Sequence, residues 1–373
     1  MICDYQYLVI GAGVVGLAVA AELASRGSLL VVEKDWKFGQ GTSSHNSEVV
    51  HAGIYYPPNS LKAQLCVAGN RRIRELSAQY GFGYRQVGKY IVATTESETE
   101  YLHWLKDNAA ENGVTDLRWV SLDELREQEP SVQAVSCLFS PTSGIVDSHG
   151  LMACFKTKAE VAGADFAFNS EVTGIRKLAS GYELTIRDAD SSETAITAER
   201  VINCAGLYSD RIAELAGLDI RGLELELHWT KGYYYTVEGG SRLNIRHLVY
   251  PVPDHHMKSL GVHATVDLAG GLRFGPTAFY LEHKTEDYSF SNDHLDQVAD
   301  SIRRYLPAFS AVGMNAIMAG IRPKLSGPGQ PVRDFYIREE SDRGLPGFVN
   351  LIGIESPGLT AAPAIAEYVR RNL

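Results

Sequence analysis

Apolar and polar positions fall into a regular order at the start of the chain. An apolar run at 7–10 leads into Gly11, Gly13 and Gly16, an amphipathic segment follows, and a second apolar run ends at Glu33. This order predicts a strand, a tight turn, a helix and a second parallel strand. The glycines allow the turn and the close approach of a pyrophosphate, and the Glu33 carboxylate can accept hydrogen bonds from a ribose. The segment therefore predicts a dinucleotide-binding βαβ unit.

Later patterns predict an extension of the same sheet. A helical pattern that starts near Gly150 ends at Gly163, and a strand then runs through Glu171 and Val172. Two alternating segments, 182–190 and 193–206, predict a hairpin that leads back to a buried strand. We expect these strands to join the sheet that begins at residue 7.

Tyrosine-rich alternation between Gly, Pro and Asp turns predicts a mostly antiparallel sheet over 223–281. The stretch 82–140 differs again, with a strand-like segment followed by a charged helix around 96–112. The predicted fold is α/β, with a Rossmann-like nucleotide-binding domain and a second, mostly antiparallel-sheet substrate domain. We assign 1–81, 141–222 and 322–373 to the first domain, and 82–140 and 223–321 to the second.

Composition narrows the class of protein. The 373 residues carry a formal net charge of −10 and no long basic block, so nucleic acid is not an expected partner. The five cysteines are scattered and odd in number, which predicts reduced thiols in a cytoplasmic protein, without disulfides or a metal site. No apolar run reaches the roughly 18 residues of a membrane-spanning helix, although peripheral membrane contact stays open.

Four motifs resemble the glycine oxidase and D-amino-acid oxidase-like superfamily of FAD enzymes. They are GAGVVG with Glu33, GTSSHNSEVVHAGIYYPPNSLKAQLCVAGN at 41–70, VINCAGLYSD at 201–210, and GIRPKL at 320–325 followed by GIESPGLTAAPAIA at 353–366. Within the superfamily the second motif is most similar to the L-2-hydroxyglutarate dehydrogenase branch. The resemblance implies FAD as cofactor and oxidation of a small 2-hydroxy acid, most specifically L-2-hydroxyglutarate. An amine oxidase of the glycine or sarcosine oxidase type is the alternative, and a non-catalytic flavoprotein is the third hypothesis.

The motifs also imply a set of cofactor-binding residues, found in glycine-rich turns, hydroxyl-bearing loops and the start of the last helix. These are Gly11, Ala12, Gly13, Val14, Val15, Gly16, Glu33, Lys34, Thr42, Ser43, Ser44, His45, Asn46, Ser47, Val172, Cys204, Ala205, Gly206, Gly320, Ser356, Pro357, Gly358, Leu359 and Thr360. Thr42 or Ser43 could instead cap the next helix. We expect Val172 to end a strand where the backbone contacts adenine, unless it is only a core residue. Residues 356–360 should precede an Ala-rich helix whose positive dipole end faces the flavin.

Arg322 is the candidate for binding the substrate carboxylate. A guanidinium suits bidentate capture of a carboxylate better than an ammonium does, although a structural salt bridge is the alternative. Lys324, Arg273 and Lys89 are further cations that could hold a second carboxylate, but each reads more readily as a surface or structural residue. The small carboxylate substrate is thus the expected partner, and the electron acceptor, oxygen or quinone, stays open.

Oxidation of a 2-hydroxy acid also requires a base for the hydroxyl proton. Histidine is the usual choice near neutral pH. His51 is the first candidate because it follows the loop expected to bind the flavin, and His263 is the second. Tyr55, Tyr250 and Tyr280 could line the pocket or pack in a core.

Overall fold

The computed structural model describes residues 3–253 and 261–373. The described residues form twenty strands. They are β1 Tyr5–Ile10, β2 Leu29–Val32, β3 Val49–Val50, β4 Tyr84–Arg85, β5 Lys89–Ala93, β6 Arg118–Trp119, β7 Ser136–Ser140, β8 Gly144–Val146, β9 Ala164–Ala167, β10 Ser170–Lys177, β11 Tyr182–Asp188, β12 Glu193–Asn203, β13 His228–Val237, β14 Leu248–Pro251, β15 His263–Val266, β16 Leu272–Gly275, β17 Phe279–Tyr280, β18 Met314–Lys324, β19 Tyr336–Glu340 and β20 Leu345–Ile352.

The helices cover one sheet or connect the two. They are α1 Val14–Leu23, α2 Leu61–Tyr80, α3 Thr99–Glu111, α4 Leu122–Gln128, α5 Ser148–Val161, α6 Ser209–Leu215, α7 Leu295–Arg303 and α8 Gly358–Arg371. Within the described residues, none of these helices is both long enough and apolar enough to span a bilayer.

The first large sheet runs in the order β10-β11-β12-β1-β2-β9, and β20 pairs with β12 and with β19. Strand β1 is parallel to β2 and to β12, which confirms that the hairpin of β11 and β12 extends the sheet begun at residue 7. One detail differs from the prediction. Val172 is the third residue of β10 rather than its last, and a bulge follows it between Val172 and Gly174.

Helices α1, α2, α5 and α8 form a layer against the first sheet, around an apolar core that includes Leu17, Val19 and Ile365. Helix α1 is apolar on nearly all sides, as expected for a helix buried between a sheet and other helices. Gly69 of α2 sits against α8, where an added Cβ would lie 2.0 Å from the carbonyl oxygen of Thr360. The two helices can therefore pack this closely only with glycine at 69.

The second large sheet runs in the order β17-β13-β16-β15-β14-β5-β7-β6, and β18 pairs with β13. Most of its pairs are antiparallel, as the alternating pattern predicted, while β5 and β14 are parallel. The long ladder between β13 and β18 places Thr230 opposite Arg322 and Gly232 opposite Gly320. The division of the chain into two domains remains our proposal, and β18 crosses the proposed boundary between 321 and 322 without a break.

Candidate active site

A cavity of about 1290 Å³ lies between the two large sheets. Its walls come from the turn after β1, the loop after β2, the turn after β12, strand β18 and the start of α8. The three loops follow the carboxyl ends of parallel strands, which is where open α/β sheets bind nucleotides. The volume exceeds the roughly 300–1,000 Å³ of a site for one small ligand. It has room for an extended dinucleotide together with a small substrate.

The glycine turn after β1 is sterically closed to larger residues. Gly11 has φ of +102°, and an added Cβ would lie 2.6 Å from the Cys204 carbonyl oxygen. An added Cβ at Gly16 would lie 1.9 Å from the Gly11 carbonyl oxygen. The amide of Val14 donates to the Ser43 hydroxyl at 3.0 Å, and no acidic side chain occupies the first turn of α1. These features leave a helix N-terminus that fits the pyrophosphate of FAD.

Glu33 lies directly after β2 and lines the cavity. Its carboxylate accepts hydrogen bonds from the backbone amides of Ala12 at 2.6 Å and Asp35 at 3.0 Å. Burial raises the pKa of Glu33 above its ordinary value, against the opposing effect of these two amides. Glu33 thus fixes the glycine turn while its remaining lone pairs face the cavity, where a ribose could reach them.

The segment 42–47 begins with a short 3₁₀ turn, Thr42–Ser44, and packs against β18. The Thr42 hydroxyl donates to the Ile321 carbonyl oxygen at 2.9 Å, and Asn46 donates to the Ser43 carbonyl oxygen at 2.8 Å. Neither Thr42 nor Ser43 is the N-cap of this turn, because the N-cap is Gly41, and the Ser43 hydroxyl instead accepts from the Val14 amide at the start of α1. An added Cβ at Gly320 would lie 2.3 Å from the His45 carbonyl oxygen, so the turn and β18 meet backbone to backbone.

Most of the cofactor-binding residues expected from sequence line this one cavity. Ala12, Gly16 and Ser44 are the three that do not. Ala12 bonds to Glu33, Gly16 packs on Gly11, and the Ser44 hydroxyl donates to the Gly39 carbonyl oxygen. They shape the turns behind the cavity wall. The assignment of the others to FAD remains a proposal.

The start of α8 supplies a second helix N-terminus in the cavity wall. The helix begins at Gly358, so Gly358, Leu359 and Thr360 form its first turn, whereas the sequence reading placed them before the helix. Only Ser356 and Pro357 precede it. No acidic residue occupies the first turn, so its amides and dipole favour negative charge placed nearby. This end of α8 fits a reduced, anionic flavin ring.

His51 lies just after β3, and hydrogen bonds hold its backbone on both sides. Its amide donates to the Thr360 hydroxyl at 3.0 Å, and its carbonyl accepts from Asn70 at 2.9 Å. The ring Nδ1 is buried and has no hydrogen-bond partner among the described residues. Burial, with smaller contributions from Lys89 and His263, holds the pKa of His51 well below its ordinary value. The ring is therefore neutral at physiological pH and available as a proton acceptor.

Two aromatic rings form the wall next to His51, and a buried lysine packs on one of them. His263 on β15 stacks on Tyr250 of β14, with ring centroids 3.5 Å apart. The Lys89 ammonium lies 4.0 Å from the centroid of the Tyr250 ring. Lys89 is only 1% exposed, and burial lowers its pKa to about 7. The sequence offered a surface or a structural position for Lys89, and the structure excludes the surface one, because parallel pairing of β5 with β14 carries Lys89 into the core.

Arg322 projects from β18 into the cavity. It donates to the hydroxyl of Tyr234, which also bonds with Ser47, and burial raises the pKa of Tyr234. Within residues 3–253 and 261–373, no carboxylate forms an ion pair with Arg322, so the structural salt bridge considered from sequence is not found there. Sequence reasoning missed Tyr234, although alternation along β13 places Tyr234 on the same face as Thr230, opposite Arg322.

Three more charged side chains in the cavity wall form what we name the 62/324/355 cluster. The Lys62 ammonium lies 3.0 Å from one Glu355 oxygen, and the Lys324 ammonium lies 3.2 Å from the other. Burial alone would raise the pKa of Glu355, but the two lysines outweigh burial and hold it below its ordinary value. Sequence reasoning missed Lys62 and Glu355. The sequence feature that could have indicated Glu355 is its position directly before Ser356, one of the expected cofactor-binding residues.

Sequence comparison gives close relatives over most of the chain. The profile of the DAO family of FAD-dependent oxidoreductases matches residues 6–371. The mitochondrial L-2-hydroxyglutarate dehydrogenase of Arabidopsis thaliana is 39% identical over 97% of this chain and 82% of that protein. The L-2-hydroxyglutarate dehydrogenase of Escherichia coli is 34% identical over 81% of this chain and 71% of that protein.

Structural comparison agrees with the sequence. L-α-glycerophosphate oxidase of Mycoplasma pneumoniae with FAD bound superposes with a TM-score of 0.86 and 29% identity, over 99% of this chain and 94% of the other. Glycine oxidase of Geobacillus kaustophilus shares the fold, with a TM-score of 0.80 and 22% identity, over 100% of this chain and 95% of the other. With its glycine turn, two cavity-facing helix N-termini and these relatives, the chain belongs to the DAO family of FAD-dependent oxidoreductases and uses FAD as its cofactor.

Proposed function

We propose that this protein oxidises L-2-hydroxyglutarate to 2-oxoglutarate. Its relatives in Arabidopsis thaliana and Escherichia coli are named as dehydrogenases of that compound. The structural observation that carries the proposal is the pairing of two groups in one cavity: His51 with an unpartnered Nδ1, and Arg322 without a carboxylate among the described residues. A 2-hydroxy acid needs both, a base for its hydroxyl and a cation for its carboxylate.

Arg322 orients the substrate through the carboxylate next to the reacting carbon. Its hydrogen bond to Tyr234 holds the guanidinium on the cavity side of β18. A planar guanidinium binds a carboxylate through two parallel hydrogen bonds, which fixes the rotation of the substrate as well as its position. The hydroxyl and the hydrogen on Cα are then presented in a defined direction.

His51 takes the hydroxyl proton as the Cα hydrogen leaves as a hydride. When bound, FAD would supply the oxidising power as a two-electron acceptor. The pKa of His51 is lowered by burial and by Lys89, so the imidazole is neutral before the reaction. The stacked rings of Tyr250 and His263 exclude water from the adjoining wall. The products are a 2-oxo acid, a protonated His51 and reduced cofactor, which balances two electrons and two hydrogens.

Anaerobic mixing of the purified holoprotein with single substrates tests the proposal. The flavin absorbance near 450 nm would be followed after addition of L-2-hydroxyglutarate, D-2-hydroxyglutarate, L-lactate, glycine or sarcosine. We expect rapid bleaching with L-2-hydroxyglutarate and at least about 100-fold slower bleaching with its mirror image. Bleaching by glycine or sarcosine alone would contradict the proposal and favour the amine oxidase alternative.

We further propose that the protein works in the cytoplasm and passes its electrons to oxygen or to a quinone, with peripheral membrane contact in the quinone case. The scattered free cysteines support a reducing compartment. The Arabidopsis thaliana relative is named as mitochondrial, so cell fractionation with antibody detection is the direct check. Formation of hydrogen peroxide in air, compared with reduction of a soluble quinone, separates the two acceptors.

A further inference from the structure

The 62/324/355 cluster lies in the cavity wall, and none of its three residues takes part in the reaction proposed above. Lys62, Glu355 and Lys324 are 3%, 9% and 22% exposed at their side chains. They come from the start of α2, the loop before α8 and the last residue of β18. Burying three charged groups is costly, and a cluster retained in a ligand cavity therefore calls for an explanation beyond stability.

The charges of the cluster do not cancel. Lys62 and Lys324 hold the pKa of Glu355 below its ordinary value, so Glu355 carries its negative charge against two ammonium groups. Asp334 lies nearby, but its two oxygens accept from the amides of Leu61 and Lys62 at the start of α2. One positive charge is left in the cluster with no further ion pair among the described residues. A partly buried excess charge of this kind favours an anion in the adjoining cavity.

Lys324 stands in a defined relation to Arg322. The two residues are separated by one position on β18, so their side chains leave the same face of the strand. Two residues along a strand span about 7 Å. Both residues line the cavity, as does Pro323 between them. The wall thus presents two cations, one beyond the other, along one edge.

We propose that Lys324, held by Glu355 and supported by Lys62, binds the distal carboxylate of a dicarboxylic 2-hydroxy acid. This inference rests on the proposed function, in which Arg322 binds the carboxylate beside the reacting carbon. In 2-hydroxyglutarate three carbons separate the two carboxyl groups, which lets one molecule reach both cations. The bound distal carboxylate brings the cluster to two negative and two positive charges. The cluster therefore selects dicarboxylates over monocarboxylates.

The other cations considered from sequence fit this role less well. Lys89 lies behind the ring of Tyr250. Arg273 is already paired with Asp267 at 3.2 Å and lies 3.9 Å from Glu48. Lys324 alone among these three both lines the cavity and belongs to a cluster with excess positive charge.

Binding of two unreactive acids to the oxidised holoprotein tests the assignment. Glutarate carries the distal carboxylate and butyrate lacks it, and dissociation constants for both follow from perturbation of the flavin spectrum. We expect Lys324→Met to weaken glutarate binding by at least about 10-fold, a loss of about 1.4 kcal/mol, and to leave butyrate binding unchanged. Glu355→Gln should tighten glutarate binding, because the excess charge of the cluster rises. Lys37→Met, an exposed lysine outside the cavity, is the matched control.

Equal effects of Lys324→Met on glutarate and butyrate, or no effect on either, would overturn the assignment, as would weaker glutarate binding in Glu355→Gln. If the methionine variant loses FAD, Lys324→Gln replaces it and keeps a polar side chain at the site. The proposed function fails separately, since it depends on reduction of the wild-type flavin by L-2-hydroxyglutarate. If L-2-hydroxyglutarate reduces the wild-type flavin but Lys324→Met changes glutarate and butyrate binding equally, the proposed function is supported and the distal-carboxylate site is refuted.

Discussion

One end of the cavity is lined mainly by backbone and the other end mainly by side chains. The proposed nucleotide end, comprising the turn at 11–16, Glu33 and Ser43, offers mainly backbone amides and the space left by absent side chains. The proposed substrate end, comprising His51, Tyr234, His263 and Arg322, works through side chains that one loop and three separate strands bring together. One end depends on local steric fit and the other on long-range pairing. Substitutions at the two ends should therefore fail in different ways.

The largest expected effect is at the nucleotide end, in Gly16→Ala. Its Cβ would lie 1.9 Å from the Gly11 carbonyl oxygen, a backbone atom that cannot move aside without breaking the turn. We expect loss of bound FAD and of several kcal/mol of stability, read from the ratio of absorbance at 450 and 280 nm and from thermal unfolding. Ala21→Gly in the same helix is the control and should cost only about 1 kcal/mol. A Gly16→Ala variant with full FAD content would refute the steric argument.

His51→Gln should break the substrate end and spare the nucleotide end. Loss of the base should slow flavin reduction by about 100-fold to 10,000-fold, while FAD content stays at the wild-type level. Because the pKa of His51 lies well below its ordinary value, the wild-type rate should be flat around neutral pH and fall only on the acid side. Stopped-flow reduction across pH measures both effects. His149→Gln, at an exposed position of α5, is the matched control, and equal rates in the two variants would exclude His51 as the base.

A smaller effect is expected at Lys89, and it concerns stability. The pKa of Lys89 is lowered from 10.5 to about 7 by burial, so the folded protein releases this proton at a lower pH than the unfolded chain. Between these values unfolding takes up a proton, and stability rises with pH. Lys89→Met removes the burial cost and should stabilise the protein by on the order of a few kcal/mol below pH 7, with the gain shrinking toward pH 10. Urea unfolding at pH 6 and pH 9.5, with Lys37→Met as control, measures the difference. Equal gains at both pH values would contradict this reading.

The same division explains what sequence could and could not predict. Gly11, Gly13, Gly16 and Glu33 lie within one βαβ unit, so spacing alone is enough to predict their turn and its ligand class. The burial of Lys89 follows from the pairing of β5 with β14, a register that no local pattern encodes.

The 62/324/355 cluster could not be predicted from sequence for a similar reason. Its members come from three distant segments, and each lysine taken alone has the pattern of a surface residue. Tyr234 could have been found from alternation along β13, but only once β18 was known as its partner. Boundaries were missed by a few residues at Val172 and Gly358, because both lie where a turn passes into regular structure.

Thr360 links the loop that carries His51 to the start of α8. Its hydroxyl accepts the amide of His51 at 3.0 Å and donates to the Val49 carbonyl oxygen at 3.3 Å, while its own backbone belongs to the first turn of α8. One short side chain thus pins the loop that carries the proposed base to the helix end that faces the cofactor cavity. Any shift in the start of α8 therefore moves His51 with it, and the distance between the two changes little. Two covalent bonds and one hydrogen bond join the Cα of Thr360 to the amide nitrogen of His51, so the spacing of the two parts has little freedom.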